Sequence, residues 1–178
     1  MCKFKSFLVL PDKREKGGFR LLSSPYTDSH SELMELNGFK SDGGMRTTFA
    51  RVEFYPDEPE HLGDPDKYRL HLDEERAPEW YTDELKERVT VKAREHIARM
   101  VVRDKRPLLY GGQWILAKGA EVGKADFCRI AAMLDGSELS VMRGGTLSDM
   151  RGGTLSDMWG GTVKKKSKEA LVLRDHTK

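Results

Sequence analysis

The stretch that decides the fold is an eight-residue repeat near the C-terminus. The octad Arg143-Gly144-Gly145-Thr146-Leu147-Ser148-Asp149-Met150 recurs as Arg151-Gly152-Gly153-Thr154-Leu155-Ser156-Asp157-Met158, and a third copy begins as Trp159-Gly160-Gly161-Thr162-Val163. A helix is excluded, because a pair of glycines costs about 2 kcal/mol in a helix interior. Short strands joined by glycine turns are therefore predicted.

The period of eight extends outward from these copies with slips of one residue, and it defines three columns. The apolar column comprises Ile115, Val122, Ile130, Leu139, Leu147, Leu155, Val163 and Leu171. A second column, three places later, comprises Lys118, Ala125, Met133, Met142, Met150, Met158, Lys166 and Arg174. A glycine-rich column, three places before the first, comprises Gly112, Gly119, Phe127, Gly136, Gly144, Gly152, Gly160 and Lys168. The columns indicate about eight octads.

The number of octads per coil follows from the size of the side chains. One octad per coil would close a perimeter of only about 26 Å at about 3.3 Å per residue, which leaves no room for leucine and methionine inside. Two octads per coil predict a flattened β-solenoid of about four coils over residues 107–178, with a basic C-terminal cap. Residues sixteen apart then stack, and the large side chains of Arg143, Arg151 and Trp159 are candidate interaction residues that favour a homo-oligomer.

The N-terminal part, residues 1–106, predicts an α+β domain with four strands and two helices. Alternating apolar residues indicate strands at Cys2–Leu10, Phe19–Ser23, Thr47–Tyr55 and Tyr68–Leu72. A short helix follows the capping residues Asp28 and Ser29, and a longer helix begins after Thr82.

Composition limits the classes of function. The chain has 178 residues, 34% of them charged, and a net charge of +2, which argues against a protein that mainly neutralises phosphates. No apolar run approaches the roughly 18 residues of a membrane span, so the cytosol is the expected location, without membrane association. The two cysteines, Cys2 and Cys128, exclude a disulfide framework and a four-cysteine zinc site.

Catalytic candidates are few. Removal of Met1 would give Cys2 both a thiol and a free amine, as in N-terminal nucleophiles, although cysteine in a strand is commonly a small buried hydrophobe. The Asp28-Ser29-His30 segment is a second candidate, with helix capping as its commoner role. Cys2, Asp28 and His30 are therefore weak catalytic candidates, and a non-enzyme is favoured over an enzyme.

The histidines are dispersed along the chain. A zinc or iron site would require His30, His61 and His71 to converge with Glu53 or Asp73, and no two of these histidines have the i,i+4 spacing of a helical metal motif. No metal ion and no cofactor are predicted.

The chain resembles a group of uncharacterised phage and prophage proteins. The matching positions are Met1-Cys2-Lys3-Phe4-Lys5-Ser6, Asp28-Ser29-His30, Arg51-Val52-Glu53, Trp80-Tyr81 and the Gly-Gly-Thr octapeptide repeats from Gly144. The resemblance spans the whole chain and implies a small accessory protein of a mobile element, with action against host defences as one candidate role. It transfers no catalytic residue.

Three classes of function remain open. The leading hypothesis is a non-enzymatic protein whose N-terminal domain binds a host or phage macromolecule, most simply a protein, while its repeat tail serves as a scaffold or oligomerisation element. The first alternative is a small hydrolase or transferase that uses Cys2 or the Asp28-Ser29-His30 segment. The second is a nucleotide or nucleic-acid binder, which the balanced charge disfavours.

Overall fold

The chain divides into two compact units. The computed structural model describes residues 4–15, 17–39 and 48–177, and the units are Met1–Ile97 and Ala98–Lys178. The sequence placed the boundary between residues 106 and 107. The division falls earlier because strands at Val101–Val102 and Lys105–Tyr110 already belong to the sheets of the second unit.

The first unit is an antiparallel four-stranded sheet with two helices, as predicted. Its strands are β1 (Lys5–Pro11), β2 (Phe19–Leu22), β3 (Ala50–Pro56) and β4 (Tyr68–Leu72), in the order β2-β1-β3-β4. The helices are α1 (His30–Leu36) and α2 (Asp83–Met100), and two short 3₁₀ helices at Pro59–Gly63 and Pro65–Lys67 precede β4. Neither helix of the described chain is long and apolar enough to cross a bilayer.

The two helices cover opposite faces of this sheet. Phe7 and Leu8 are consecutive on β1, so their side chains point to opposite faces. The Phe7 ring lies 5.2 Å from the His96 imidazole of α2, whereas Leu8 packs with Leu33 and Met34 of α1. Because both faces are covered, β1 is buried on both sides, which explains its nearly continuous apolar sequence.

Two polar side chains of β1 hold the segment before α1. The buried Lys5 ammonium lies 3.1 Å from the Asp28 carboxylate and donates to the Ser24 carbonyl at 2.5 Å. The Ser6 hydroxyl donates to the Asp28 carbonyl at 2.5 Å. These bonds fix the position at which α1 begins.

The second unit is a β-solenoid. Its strands are β5 (Val101–Val102), β6 (Lys105–Tyr110), β7 (Gln113–Leu116), β8 (Glu121–Asp126), β9 (Arg129–Met133), β10 (Glu138–Arg143), β11 (Thr146–Met150), β12 (Thr154–Met158), β13 (Thr162–Val163) and β14 (Leu171–Asp175). The even-numbered strands from β6 to β14 form one parallel sheet and the odd-numbered strands from β5 to β13 form the other. Two octads per coil are therefore confirmed, with about five coils instead of four, because the coils begin at Val101 and not near Gly112.

The two predicted apolar columns form the centre of the solenoid core. From Val122 to Met158, every member of both columns is at most 6% exposed. Identical or similar residues stack on one another, as Met142 does on Met158. This stacking gives each short strand a buried row shared with the coils on either side.

The column assignment is wrong at its ends. Leu155 pairs with Val172, seventeen residues later, so the predicted Leu171 is exposed. At the other end Leu116 occupies the row of Met133, and Lys118 is exposed. The coil length is seventeen at these points. Near Leu116 the extra residue is a bulge in β9, between the partners of Trp114 and Ile115, whereas the spacing from β12 to β14 is seventeen along the whole strand pair. An exact period cannot anticipate either.

The glycine-rich column lies in the turns, as predicted. Gly112, Gly119, Gly136 and Gly144 all have positive φ angles. Phe127 occupies the same column with φ of 54°, the one non-glycine residue with positive φ in the described ranges. The turn geometry of the repeat therefore overrides the side-chain preference of Phe127.

Two neighbouring substitutions to aspartate can test which side chains of the octad point into the core. Leu147→Asp places an unpaired charge in the fully buried row and should destabilise the solenoid by several kcal/mol, whereas Ser148→Asp adds a partly exposed charge and should change stability little. Thermal and urea denaturation monitored by circular dichroism measure both. Equal losses of stability would contradict the assigned facing.

The close stacking of the coils can be tested with two glycines of similar backbone conformation. Gly145 and Gly119 have φ of +82° and +76°, and a Cβ at Gly145 would lie 2.1 Å from the Cys128 carbonyl oxygen while one at Gly119 meets nothing within 4 Å. Gly119→Ala should cost about 1–2 kcal/mol for the backbone alone, and Gly145→Ala clearly more. Equal urea midpoints for the two variants would contradict the close stacking of the coils at Gly145.

Candidate functional site

One corner of the solenoid carries a row of exposed aromatic side chains. Strands β6, β8, β10, β12 and β14 are parallel neighbours, so their C-terminal ends lie in one row. We call the residues at or directly after these ends the aromatic ladder: Tyr110, Phe127, Arg143, Trp159 and His176.

The ladder is both exposed and internally ordered. Tyr110, Phe127 and Trp159 are 72%, 67% and 59% exposed. The Tyr110 and Phe127 rings make an edge-on contact with centroids 6.4 Å apart, and the Trp159 and His176 rings stack at 3.9 Å. The exposed Arg143 ends the central strand between the two pairs. At about 4.8 Å per strand the ladder is about 19 Å long.

The charges beside the ladder are compensated within the solenoid. Asp126 contacts the Lys124 ammonium at 2.5 Å, and Asp157 contacts Arg174 at 2.6 Å and His176 at 3.1 Å. The corner is therefore an aromatic surface with little net charge, which suits a protein surface better than a run of phosphates.

The sequence anticipated part of this surface. Arg143 and Trp159 lie together in the ladder, whereas Arg151 follows β11 in the other sheet, where its guanidinium contacts Asp149 at 2.8 Å. Tyr110 and His176 were missed because they lie outside the octads that repeat clearly. An aromatic residue at an octad turn, such as Phe127, is the sequence signal that could have identified this surface.

A second cluster lies in the first unit, where three polar side chains come together from three elements. His30 is the first residue of α1, directly after Ser29, whose hydroxyl accepts from the Glu32 amide at 3.4 Å and caps the helix. Glu53 lies on β3, and Asp73 directly follows β4. One potential ligand atom from each of His30, Glu53 and Asp73 lies within 4.8 Å of the others.

The cluster is buried on one side and open on the other. His30 and Glu53 are each 5% exposed, while the Asp73 side chain is 46% exposed. His30 Nε2 lies 3.1 Å from the Val52 carbonyl oxygen, and His30 Nδ1 lies 3.0 Å from Asp73 Oδ2. Asp73 also borders an open cleft of about 310 Å³, lined by Arg51, His71, Leu72, Asp73, Glu74 and Glu75.

The other catalytic and metal candidates are not among the clustered ligand atoms, although His71 lies opposite Glu53 in the pairing of β3 with β4. Asp28 is held by Lys5, and together with Ser29 it belongs to the capping segment. His61 contacts Asp57 at 2.6 Å, and His71 lines the cleft. The structure therefore unites His30 with the two acidic residues that the sequence had named, without His61 and His71.

The cysteines provide no nucleophile in the described part of the chain. Cys2 lies outside the described residues. Cys128 is buried in the solenoid core, its thiol donates to the Asp126 carbonyl at 3.4 Å, and burial raises its pKa to about 11.

The Cys128 environment predicts low reactivity. At pH 8 a thiol with a pKa of about 11 is ionised in about one molecule in a thousand, and only the thiolate reacts with iodoacetamide. The folded chain should therefore leave Cys128 unmodified, and the chain in urea should label it, as peptide mass spectrometry would show. Labelling of Cys128 at similar rates in both states would contradict its burial.

Comparisons with known proteins assign no family. No family model matches the chain, and no curated protein or solved structure gives a significant match.

Proposed function

We propose that this chain is a non-enzymatic accessory protein of a phage or related mobile element, acting in the host cytoplasm. It binds a protein partner through the solenoid, and action against a host defence is the role that the phage resemblance favours. The observation that carries the proposal is the aromatic ladder, because aromatic residues and arginine are enriched where protein interfaces gain most of their binding energy.

The ladder supports a protein partner over a nucleic acid. Its aromatic rings could stack on bases, but such sites also follow the phosphate backbone with a positively charged groove. Here the acidic residues Asp126 and Asp157 lie beside the ladder and take up the neighbouring cations. A second copy of the chain is one such protein partner, consistent with the homo-oligomer expected from the sequence.

The solenoid holds the residues of such a surface in fixed positions. Each coil contributes one ladder position from the end of one strand, and the strands are held by the buried rows beneath. The side chains are therefore held in place before binding, which lowers the entropy lost on association.

The test compares two double variants, each of which removes two exposed side chains from the even-numbered sheet of the solenoid or its strand ends. Tyr110→Ser with Trp159→Ser removes two ladder rings, and Leu108→Ser with Leu173→Ser removes two exposed apolar side chains from β6 and β14 outside the ladder. We expect a partner captured from host lysate, or a dimer seen by sedimentation, to be retained by the leucine variant and reduced at least tenfold by the ladder variant. Equal capture and equal sedimentation of both variants would refute the proposal.

A Cys2→Ser variant tests the enzymatic alternative. Because the proposed function uses no nucleophile, Cys2→Ser should leave ladder-dependent capture or dimerisation unchanged. A loss of partner capture in a folded Cys2→Ser chain would favour the hydrolase or transferase alternative instead.

A further inference from the structure

We propose that His30, Glu53 and Asp73 form a binding site for one divalent transition-metal cation. The site lies in the first unit and shares no residue with the aromatic ladder, so it is tested separately from the function proposed above.

The hydrogen bond between His30 and Val52 determines which ring nitrogen is available to a cation. The Val52 carbonyl oxygen can only accept, so the Nε2 atom 3.1 Å away carries the proton. In neutral imidazole the other nitrogen, Nδ1, then presents a lone pair. This lone pair lies 3.0 Å from Oδ2 of Asp73, which also offers only lone pairs when ionised. Two acceptors at this distance need a positive centre next to both.

A proton on Nδ1 does not fill this role well. The Asp73 oxygen lies off the direction that a hydrogen bond from Nδ1 requires, and this buried nitrogen has no hydrogen-bond partner among the described residues. A buried polar atom without a partner is rare and calls for a specific cause. A cation that accepts the Nδ1 lone pair and contacts Asp73 supplies one.

The carboxylate of Glu53 points to the same cause. It is 5% exposed, and a buried carboxylate needs a compensating positive charge or hydrogen bonds. In the described part of the chain no lysine or arginine forms an ion pair with Glu53 or Asp73, and the nearby Arg51 guanidinium contacts Glu74 at 3.1 Å. Two carboxylates and a neutral imidazole match a divalent cation in charge.

The distances fit a metal with short bonds. Neighbouring ligands on an octahedral metal are about 3.0 Å apart when each bond is about 2.1 Å, which matches the separation of Nδ1 and Oδ2. Opposite ligands are about 4.2 Å apart, so the 4.8 Å spread of the cluster requires side-chain shifts of less than about 1 Å.

The ligand types select the class of metal. Calcium and magnesium prefer sites made entirely of oxygen, whereas one imidazole with two carboxylates suits manganese, iron and zinc. The bond from Nε2 to the Val52 carbonyl is the backbone hydrogen bond that orients metal-binding histidines. Of the three residues, Asp73 is the one that is partly exposed and borders the open cleft, so a cation would enter from its side.

The experiment titrates the chelator-treated full chain with manganese. Free Mn²⁺ is followed by electron paramagnetic resonance, competition by Zn²⁺ is measured, and spin-echo modulation detects a nitrogen ligand. We expect one site per chain, a nitrogen coupling, and at least tenfold weaker binding in Glu53→Gln and Asp73→Asn. The His30→Ala variant should also lose the nitrogen coupling.

A matched control separates this site from other His–Asp pairs. His61 also contacts a carboxylate, that of Asp57, but it lies outside the cluster, so His61→Ala should bind as the unsubstituted chain does. Should His30→Ala fail to fold, the two shape-conserving carboxylate variants keep the test decisive. The proposal is overturned if the chain binds neither Mn²⁺ nor Zn²⁺ in a saturable way. It is equally overturned if folded Glu53→Gln and Asp73→Asn bind unchanged, or if His61→Ala loses binding as they do.

Discussion

The stacking of buried leucine and methionine rows is the constraint on which the solenoid depends. A five-residue strand cannot bury enough area to be stable alone, but the row it shares with the coils above and below is continuous from Val122 to Met158. In-register stacking then determines everything outside the rows. Turn residues must align, which forces positive φ on Phe127, and strand ends must align, which lines up the aromatic ladder.

In the first unit the main structural constraint is a buried charge, the Lys5 ammonium. Lys5 is on a strand covered by helices on both faces, and its ammonium is compensated by the Asp28 carboxylate and the Ser24 carbonyl. Because these partners lie just before α1, the bonds that compensate the charge also determine where α1 begins. That position brings His30 against β3, within reach of Glu53 and Asp73.

The two candidate sites differ in how far the sequence predicts them. The ladder follows from the octad period, since any large residue at a turn must be exposed and stacked, so Trp159 and Arg143 could be named in advance. Tyr110 and His176 could not be named in advance. Tyr110 lies before the recognisable repeat, and the coil that ends at His176 has a spacing of seventeen residues. The individual residues of the second cluster were named in advance, but not the subset that meets.

What the sequence alone determined is the class of each unit and the buried positions of the repeat. Those properties are periodic and local: alternation, an exact octad and glycine turns bias the backbone directly. The convergence of His30, Glu53 and Asp73 was decided only by tertiary structure. These residues come from a helix start, a mid-strand position and a strand end separated by about twenty residues each, and no local pattern relates them. Strand pairing of β3 with β4, and the packing of α1 on that sheet, bring them together.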